Sequence, residues 1–241
     1  LNNQNKIAVI IVAGGGGKRM NSPVPKQFLM VHKKPVLAHS IQPFNESPRV
    51  HQMILVVPEK DAEYCRINIV ERYQFHKATK IVAGGSERID SVRKGLEAVE
   101  GKVDYIAIHD GARPLIHQED IERVFDKALE TGGAILASRM TDTVKKIKGK
   151  GEVVGTLPRS ELMLAQTPQI FCAEWLKNAY QRFPKDKEAT DDASVLEYAG
   201  YSVHTVCGKH VNSKMTTSED LKFAAYILEQ RSGEDENRHR F

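Results

Sequence analysis

Three stretches of this chain carry residues of the types that handle phosphates. In the first, four consecutive glycines, Gly14 to Gly17, run into Lys18 and Arg19, and Lys26 follows beyond Pro23 and Pro25. Residues without a Cβ let the backbone turn tightly and bring N–H groups close to an anion. The cations just beyond supply the opposite charge, so the loop suits a nucleoside triphosphate. A plain glycine turn is the bland alternative, but flexibility alone does not call for Arg19 and Lys26. Neither familiar phosphate fingerprint fits. A P-loop needs glycine where Val12 stands and Ser or Thr where Arg19 stands. The dinucleotide pattern G-x-G-x-x-G meets Arg19 or Met20 at its last position.

The second stretch is His109-Asp110-Gly111-Ala112-Arg113-Pro114. An Asp just past a buried strand faces the ligand crevice of an α/β sheet, where a hard carboxylate can hold Mg²⁺ beside triphosphate oxygens. Capping the next segment, or pairing with Arg113, would be the structural alternative. The third is Gly84-Gly85-Ser86-Glu87-Arg88, followed by Asp90-Ser91. Here glycines again admit a ligand to the backbone, and Arg88 and Ser91 supply donors near a helix start that Ser86 could cap. His109 and His117 have no metal-ligand spacing, and no Ser–His–Asp or Cys–His set is visible. In-line phosphoryl-type transfer needs no protein nucleophile.

These residues are positioned by an alternation of short apolar runs and amphipathic stretches. Ile7 to Val12 is too short for a helix and rich in β-branched residues, which predicts a buried parallel strand. Met53 to Val57, Lys80 to Val82, Tyr105 to Ile108, Ala134 to Ser138, Leu162 to Ala165 and Ser202 to Cys207 read as further strands. Helices are expected at Pro35 to Phe44, Asp61 to Tyr73, Ile89 to Val99, Ile121 to Leu129, Asp192 to Tyr198 and Ser218 to Glu229. This order implies an α/β fold with a mostly parallel, three-layer sheet. Thr143 to Arg159 has two β-rich halves around Gly149-Lys150-Gly151 and is too polar for the core, so it reads as a projecting hairpin. Thr190-Asp191-Asp192-Ala193-Ser194 reads as the acidic N-terminus of a helix, favoured by its dipole.

With 241 residues, one sizeable α/β domain is expected, over 1–230, with residues 231–241 a polar, frayed tail. Lys and Arg number 35 against 31 Asp and Glu, a net charge of +4 scattered among acids, which gives little support for a nucleic-acid partner. Cys65, Cys172 and Cys207 are far apart and form no C-x-x-C pair, as suits reduced thiols in the cytoplasm. No stretch has bilayer length, no signal pattern stands at Leu1 to Lys6, and the absence of Met at the first position suggests a trimmed or incompletely represented terminus.

AGGGGKRM, PKQF, HDGARP, LPRSELMLAQTPQ and NSKMT together resemble the nucleotidyltransferases that make CDP- and sugar-nucleotides. Within these the chain is most similar to the 2-C-methyl-D-erythritol 4-phosphate cytidylyltransferases of the non-mevalonate isoprenoid pathway, from about Ile7 to Leu228. Many members read P-A-A-G where this chain reads Val12-Ala13-Gly14-Gly15. The resemblance implies a Rossmann-like nucleotidyltransferase fold acting on CTP and a polyol phosphate with Mg²⁺. It implies that Ala13, Gly14, Gly15 and Lys26 hold the nucleotide, with Gly85, Arg88 and Ser91 near base and ribose. Arg19 and Lys26 would stabilise the transition state, and Asp110 would hold the metal. Asp110, Arg113, Thr143, Arg159, Thr167 and Lys214 would surround the sugar phosphate, Arg159 and Lys214 aiming it. Thr143 and Arg159 would come from a neighbouring subunit, through an arm at about 141–160 that makes a homodimer. Some relatives have an acid where Val211 stands, which leaves a second metal carboxylate open. Ribitol-5-phosphate cytidylyltransferase is the nearest rival, a non-catalytic nucleotide-binding module is the alternative of another class, and a nucleic-acid binder is third.

Overall fold

The computed structural model describes residues 5–15, 24–184 and 186–238. Arg19, with the rest of Gly16 to Pro23, lies outside the described residues. The elements follow the chain in the order β1 (Ile7–Val12), a small hairpin of β2 (Met30–Val31) and β3 (Lys34–Pro35), α1 (Val36–Glu46), β4 (Val50–Val57), α2 (Ala62–Cys65) and β5 (Ala78–Ala83). Then come α3 (Arg88–Glu97), β6 (Tyr105–Asp110), α4 (Gln118–Thr131), β7 (Gly133–Arg139), β8 (Val144–Lys148) and β9 (Glu152–Leu157). β10 (Met163–Cys172), α5 (Ala173–Arg182), α6 (Asp192–Tyr198), β11 (His204–Cys207) and α7 (Ser218–Arg238) complete the chain.

A strand that is apolar at every position must be covered on both faces. β1 obeys this: Ile7, Val9 and Ile11 enter one core cluster with α1 and α4, while Ala8 and Ile10 enter another with α3, α5 and α6. Helices on both sides of one sheet give the expected three layers. The sheet has seven strands in the order β11-β7-β10-β6-β1-β4-β5. Every pairing is parallel except those of β10, which runs antiparallel to both β6 and β7. From β1 the chain proceeds to β4 and β5 on one side, then crosses to β6 on the other. That reversal opens a crevice at the carboxyl ends of β1 and β6, where ligands of such sheets bind. Val12 and Asp110 are register partners at this point.

Several elements differ from the sequence expectation. β10 runs from Met163 to Cys172, well beyond the strand expected over Leu162 to Ala165; a register irregularity falls between Ala165 and Gln169, around a cis Thr167–Pro168 bond. α5 is an added helix, its buried face formed by Leu176, Ala179 and Tyr180. The stretch after α2 continues as a π-helical segment over Arg66–Glu71. Ser86 does not cap α3; Glu87 holds that position with no side-chain bond, and the Ser86 hydroxyl donates to Asp90 instead. α7 continues through Arg238, past Glu229, so the polar stretch from Arg231 begins as helix. Its Glu and Arg residues are good helix formers, and Arg231 Nη1 donates to the Leu115 carbonyl at 2.8 Å. The projecting hairpin is present as β8 and β9, and Ile147, Val153, Val154 and Leu157 on it are exposed. Among the described residues no helix is long and apolar enough to cross a membrane.

The acidic start of α6 does more than favour a dipole. Asp191 is its N-cap, accepting the Ser194 amide at 2.9 Å, and its other oxygen accepts the buried Gln169 side chain at 2.9 Å. Asp191→Ala should therefore remove a cap and weaken the satisfaction of a buried amide, at a cost of about 1–2 kcal/mol. Asp191→Ser, which keeps a capping oxygen, should lose less. Urea midpoints of the two variants check this.

Candidate active site

Two glycine turns meet at the crevice for different physical reasons. At Gly85 a Cβ would stand 2.3 Å from Asp90 Cβ, so packing within the chain demands glycine there. Among the described residues nothing would lie nearer than 3.7 Å to a Cβ at Gly14 or Gly15, and neither has a left-handed φ. Two such positions at a strand end leave room for close approach by a phosphate. Lys26 enters from a 3₁₀ turn, Lys26–Phe28; its Cε is the atom that a Gly15 Cβ would meet, and its Nζ donates to the Met215 carbonyl at 3.2 Å. Ala13, Gly14, Gly15, Lys26, Gly85, Arg88, Ser91, Asp110 and Lys214 all line one cleft of about 320 Å³.

Asp110 is the centre of its charge. The carboxylate is nearly buried at the end of β6, with Arg88 Nε donating to Oδ1 at 3.2 Å and Lys214 Nζ to Oδ2 at 2.6 Å. Arg113 Nε lies 3.8 Å from Oδ2. Burial alone would raise its pKa, but Arg88, Lys214 and Arg113 outweigh it and hold the group well below the usual carboxylate range. Arg88 in turn donates through Nη2 to the fully buried Asp192 at 2.7 Å, and Tyr180 donates to the other oxygen of Asp192 at 2.5 Å. Desolvation would lower the Arg88 pKa, yet the carboxylates of Asp192 and Asp110 raise it. Arg88 thus lines the cleft as the bridge between two acids.

Other expected site residues stand behind the cleft or away from it. The Thr167 hydroxyl, almost fully buried, accepts the Asp110 amide at 3.0 Å and bonds His109 Nδ1 at 3.0 Å, so it fixes the end of β6 and does not line the cleft. Arg113 Nη1 donates to the Asn212 carbonyl at 2.7 Å, and Asn212 Nδ2 donates to the Thr167 carbonyl at 2.9 Å. Together with the Met215 amide, which donates to the Ala112 carbonyl at 2.7 Å, these bonds fasten the segment that carries Lys214. Ser91, by contrast, does border the cleft, but its buried hydroxyl accepts the Gly85 amide and donates to the Glu87 carbonyl, so it shapes the turn. Thr143 and Arg159 are exposed; Arg159 donates to the Thr141 carbonyl and borders a separate depression. One copy of the chain does not bring them to the cleft.

Two polar lining residues carry no role in the sequence reading. Gln27 is buried, with neither amide atom hydrogen-bonded among the described residues, and Glu87 stands exposed at the mouth. Gln27 lies inside PKQF, next to the lysine that drew attention by its charge. For a divalent cation, Asp110 is the donor that fits: an ionised hard oxygen at the crevice, of the kind Mg²⁺ takes singly or in pairs while phosphate oxygens complete its shell. Lys214 Nζ now faces Oδ2 and would have to yield it.

His109 is wholly buried beside this network, its ring 4.9 Å from that of Phe44, and burial drops its pKa to about 3. The unfolded chain takes up a proton near pH 6.5 that the folded chain refuses. The stability that neutral His109 preserves is therefore full above about pH 6.5 and lost as pH falls toward about 3, at up to about 1.4 kcal/mol per pH unit. His109→Gln should flatten the decline in stability between about pH 6.5 and 4, read from urea midpoints across that range.

Comparison with known proteins agrees with this geometry. The family model described as 2-C-methyl-D-erythritol 4-phosphate cytidylyltransferase (IspD) matches residues 7–230. A protein of that name from Alkaliphilus metalliredigens is 42% identical over 228 residues, covering 94% of this chain and 95% of its own length. One from Syntrophus aciditrophicus is 41% identical over 229 residues, covering 95% and 98%. Among solved structures, 4-diphosphocytidyl-2C-methyl-D-erythritol synthase from Anaerococcus prevotii superposes with a TM-score of 0.82 at 28% identity, over 94% of this chain and 97% of that one. The Francisella tularensis enzyme gives a TM-score of 0.73 at 28% identity, over 92% and 99%. With its glycine loops, HDGARP strand end and lysine segment all inside the matched span, the chain belongs to the 2-C-methyl-D-erythritol 4-phosphate cytidylyltransferase family.

Proposed function

We propose that this protein transfers the cytidylyl group of CTP to 2-C-methyl-D-erythritol 4-phosphate, giving 4-diphosphocytidyl-2-C-methyl-D-erythritol and pyrophosphate for isoprenoid precursor synthesis. The supporting observation is the convergence of Lys26, Arg88, Asp110 and Lys214, from four separate segments, on one cleft edged by bare glycines. An oxygen of the sugar phosphate attacks the α-phosphorus of CTP. The new oxygen–phosphorus bond forms as the bridge to the β-phosphorus breaks, and the electron pair leaves on pyrophosphate. The attacking group is already an anion near neutral pH, so the protein has to position reactants and balance charge rather than abstract a proton.

In this reading the backbone at Ala13, Gly14 and Gly15 receives the triphosphate. Lys26, aimed across Gly15, and Arg19 stabilise the charge that gathers on the α-phosphoryl oxygens and the leaving group. Mg²⁺ held by Asp110 would supply neutralisation of the phosphates. Gly85, Arg88 and Ser91 form the wall assigned to base and ribose. Lys214, with Arg113 and Thr167 steadying its surroundings, aims the incoming phosphate. Thr143 and Arg159 complete that end when supplied by the arm of a second copy. The exposed apolar residues of β8 and β9 support such a homodimer, since apolar side chains on a hairpin are stabilised by burial against a partner.

Lys26→Ala should lower turnover about 10²–10³-fold while leaving the thermal midpoint near that of the unaltered protein, the loss typical of one fixed donor to a developing anion. Near-normal turnover would remove Lys26 from the chemistry. The activity itself is tested by pyrophosphate release from CTP, UTP, ATP and GTP offered with 2-C-methyl-D-erythritol 4-phosphate or ribitol 5-phosphate, each with and without Mg²⁺. Release is expected with CTP, the methylerythritol phosphate and Mg²⁺ together. Preference for ribitol 5-phosphate, or CTP binding without turnover on either acceptor, would overturn the assignment.

A further inference from the structure

His117, Glu119 and His210 stand outside the cleft and have no part in the reaction above. Spacing along the chain gives no sign of a metal set, because His210 arrives from the far end of the sequence. In the fold it lies against the first turn of α4. Ligand atoms of the three side chains all lie within 4.8 Å of one another. The imidazoles of His117 and His210 are stacked, with centroids 3.7 Å apart, and His210 Nε2 is 3.2 Å from Glu119 Oε2.

Their placement is fixed by a buried group. Asp120, fully buried in the first turn of α4, accepts the Lys209 amide through Oδ1 at 2.9 Å and the His210 amide through Oδ2 at 3.1 Å. Arg123 adds a bond to Oδ1 and another to the Cys207 carbonyl. The backbone bearing His210 is thereby clamped to the helix that bears Glu119, while His117 is that helix's N-cap. Two imidazoles and a carboxylate on a clamped backbone form a donor set, half-exposed and open to solvent, that can close on one ion once the stacked rings turn their in-plane nitrogens toward it.

We propose that His117, Glu119 and His210 bind a borderline divalent transition cation, Zn²⁺ foremost, with water completing its shell. Two nitrogens and one oxygen are a donor set that Zn²⁺ accepts and Mg²⁺ does not favour. The cation takes the place between His210 and Glu119 now bridged by a hydrogen bond. It displaces Lys209, whose ammonium contacts the other Glu119 oxygen, and it replaces the long 3.3 Å bond from the Glu119 amide to His117 Nδ1. Four residues beyond His210 lies Lys214, so the bound cation fastens the root of the segment that reaches Asp110. The site stands independently of the reaction assigned to the cleft.

Calorimetric titration of the full chain with Zn²⁺ tests it, alongside His117→Asn, which keeps a capping side chain, and His210→Gln. One equivalent should bind to the unaltered protein, and each variant should bind about 10–100-fold more weakly, the loss that removal of even an outer partner of a metal ligand causes. Zn²⁺ should raise the thermal midpoint of the unaltered protein and not of the variants, and Mg²⁺ should raise neither through this site. Co²⁺ should give a ligand-field spectrum without thiolate charge-transfer bands. Equal Zn²⁺ affinity in all three proteins, no binding at all, or a thiolate band pointing to Cys172 or Cys207 would overturn the proposal. If His117→Asn fails to fold, the comparison rests on His210→Gln and Glu119→Gln.

Discussion

A carboxylate taken out of water at the end of a central strand cannot remain ionised unless cations come to it, since removing an isolated charge from water costs several kcal/mol. Asp110 is such a group, and much of the active-site geometry follows from that requirement. It draws Arg88 from the start of α3 and Lys214 from the segment before α7 into one place. Arg88, only partly exposed, in turn pairs the fully buried Asp192 at the start of α6. Charge balance therefore ties three distant pieces of chain to a single strand end.

The same logic explains why one strand of an otherwise parallel sheet runs backwards. β10 passes beside β6 so that Thr167 meets both the Asp110 amide and His109. A parallel neighbour would need a crossover helix to reach that position; an antiparallel one arrives directly from the arm. The arm and the floor of the site thus belong to consecutive residues. In the proposed dimer, the hairpin that reaches a second copy is continuous with β10, the strand whose Thr167 steadies the end of β6.

Networks of this kind also divide residues that approach a ligand from residues that steady them. Lys26, Asp110 and Lys214 line the cleft, whereas Thr167, Asn212 and Asp192 act on it through others. The two glycine turns divide in the same way. Gly85 is required by Asp90, while a Cβ at Gly14 or Gly15 would make only ordinary contact with Ser91 or Lys26. A family likeness alone places both pairs in one category; the contacts separate them.

Local sequence determined a good deal. The unbroken apolar run of β1 dictates burial on both faces, hence a central strand in a three-layer sheet, and strand-ending glycines beside cations mark where phosphates would go. The hairpin was legible from its polar halves and Gly149-Lys150-Gly151, and α6 from its acidic start. The extent and direction of β10 were not, because antiparallel pairing depends on where the chain returns and short apolar runs look alike in either direction. α5 was missed because its apolar face is carried by only a few residues whose burial depends on neighbours. Arg88 reads in sequence as a ligand donor and in the fold as a bridge between Asp110 and Asp192. Its partners lie 22 and 104 residues away, and electrostatic pairing at such separations is set by topology. His117 and His210 meet for the same reason: spacing shows neighbours along the chain, and only packing shows neighbours in space.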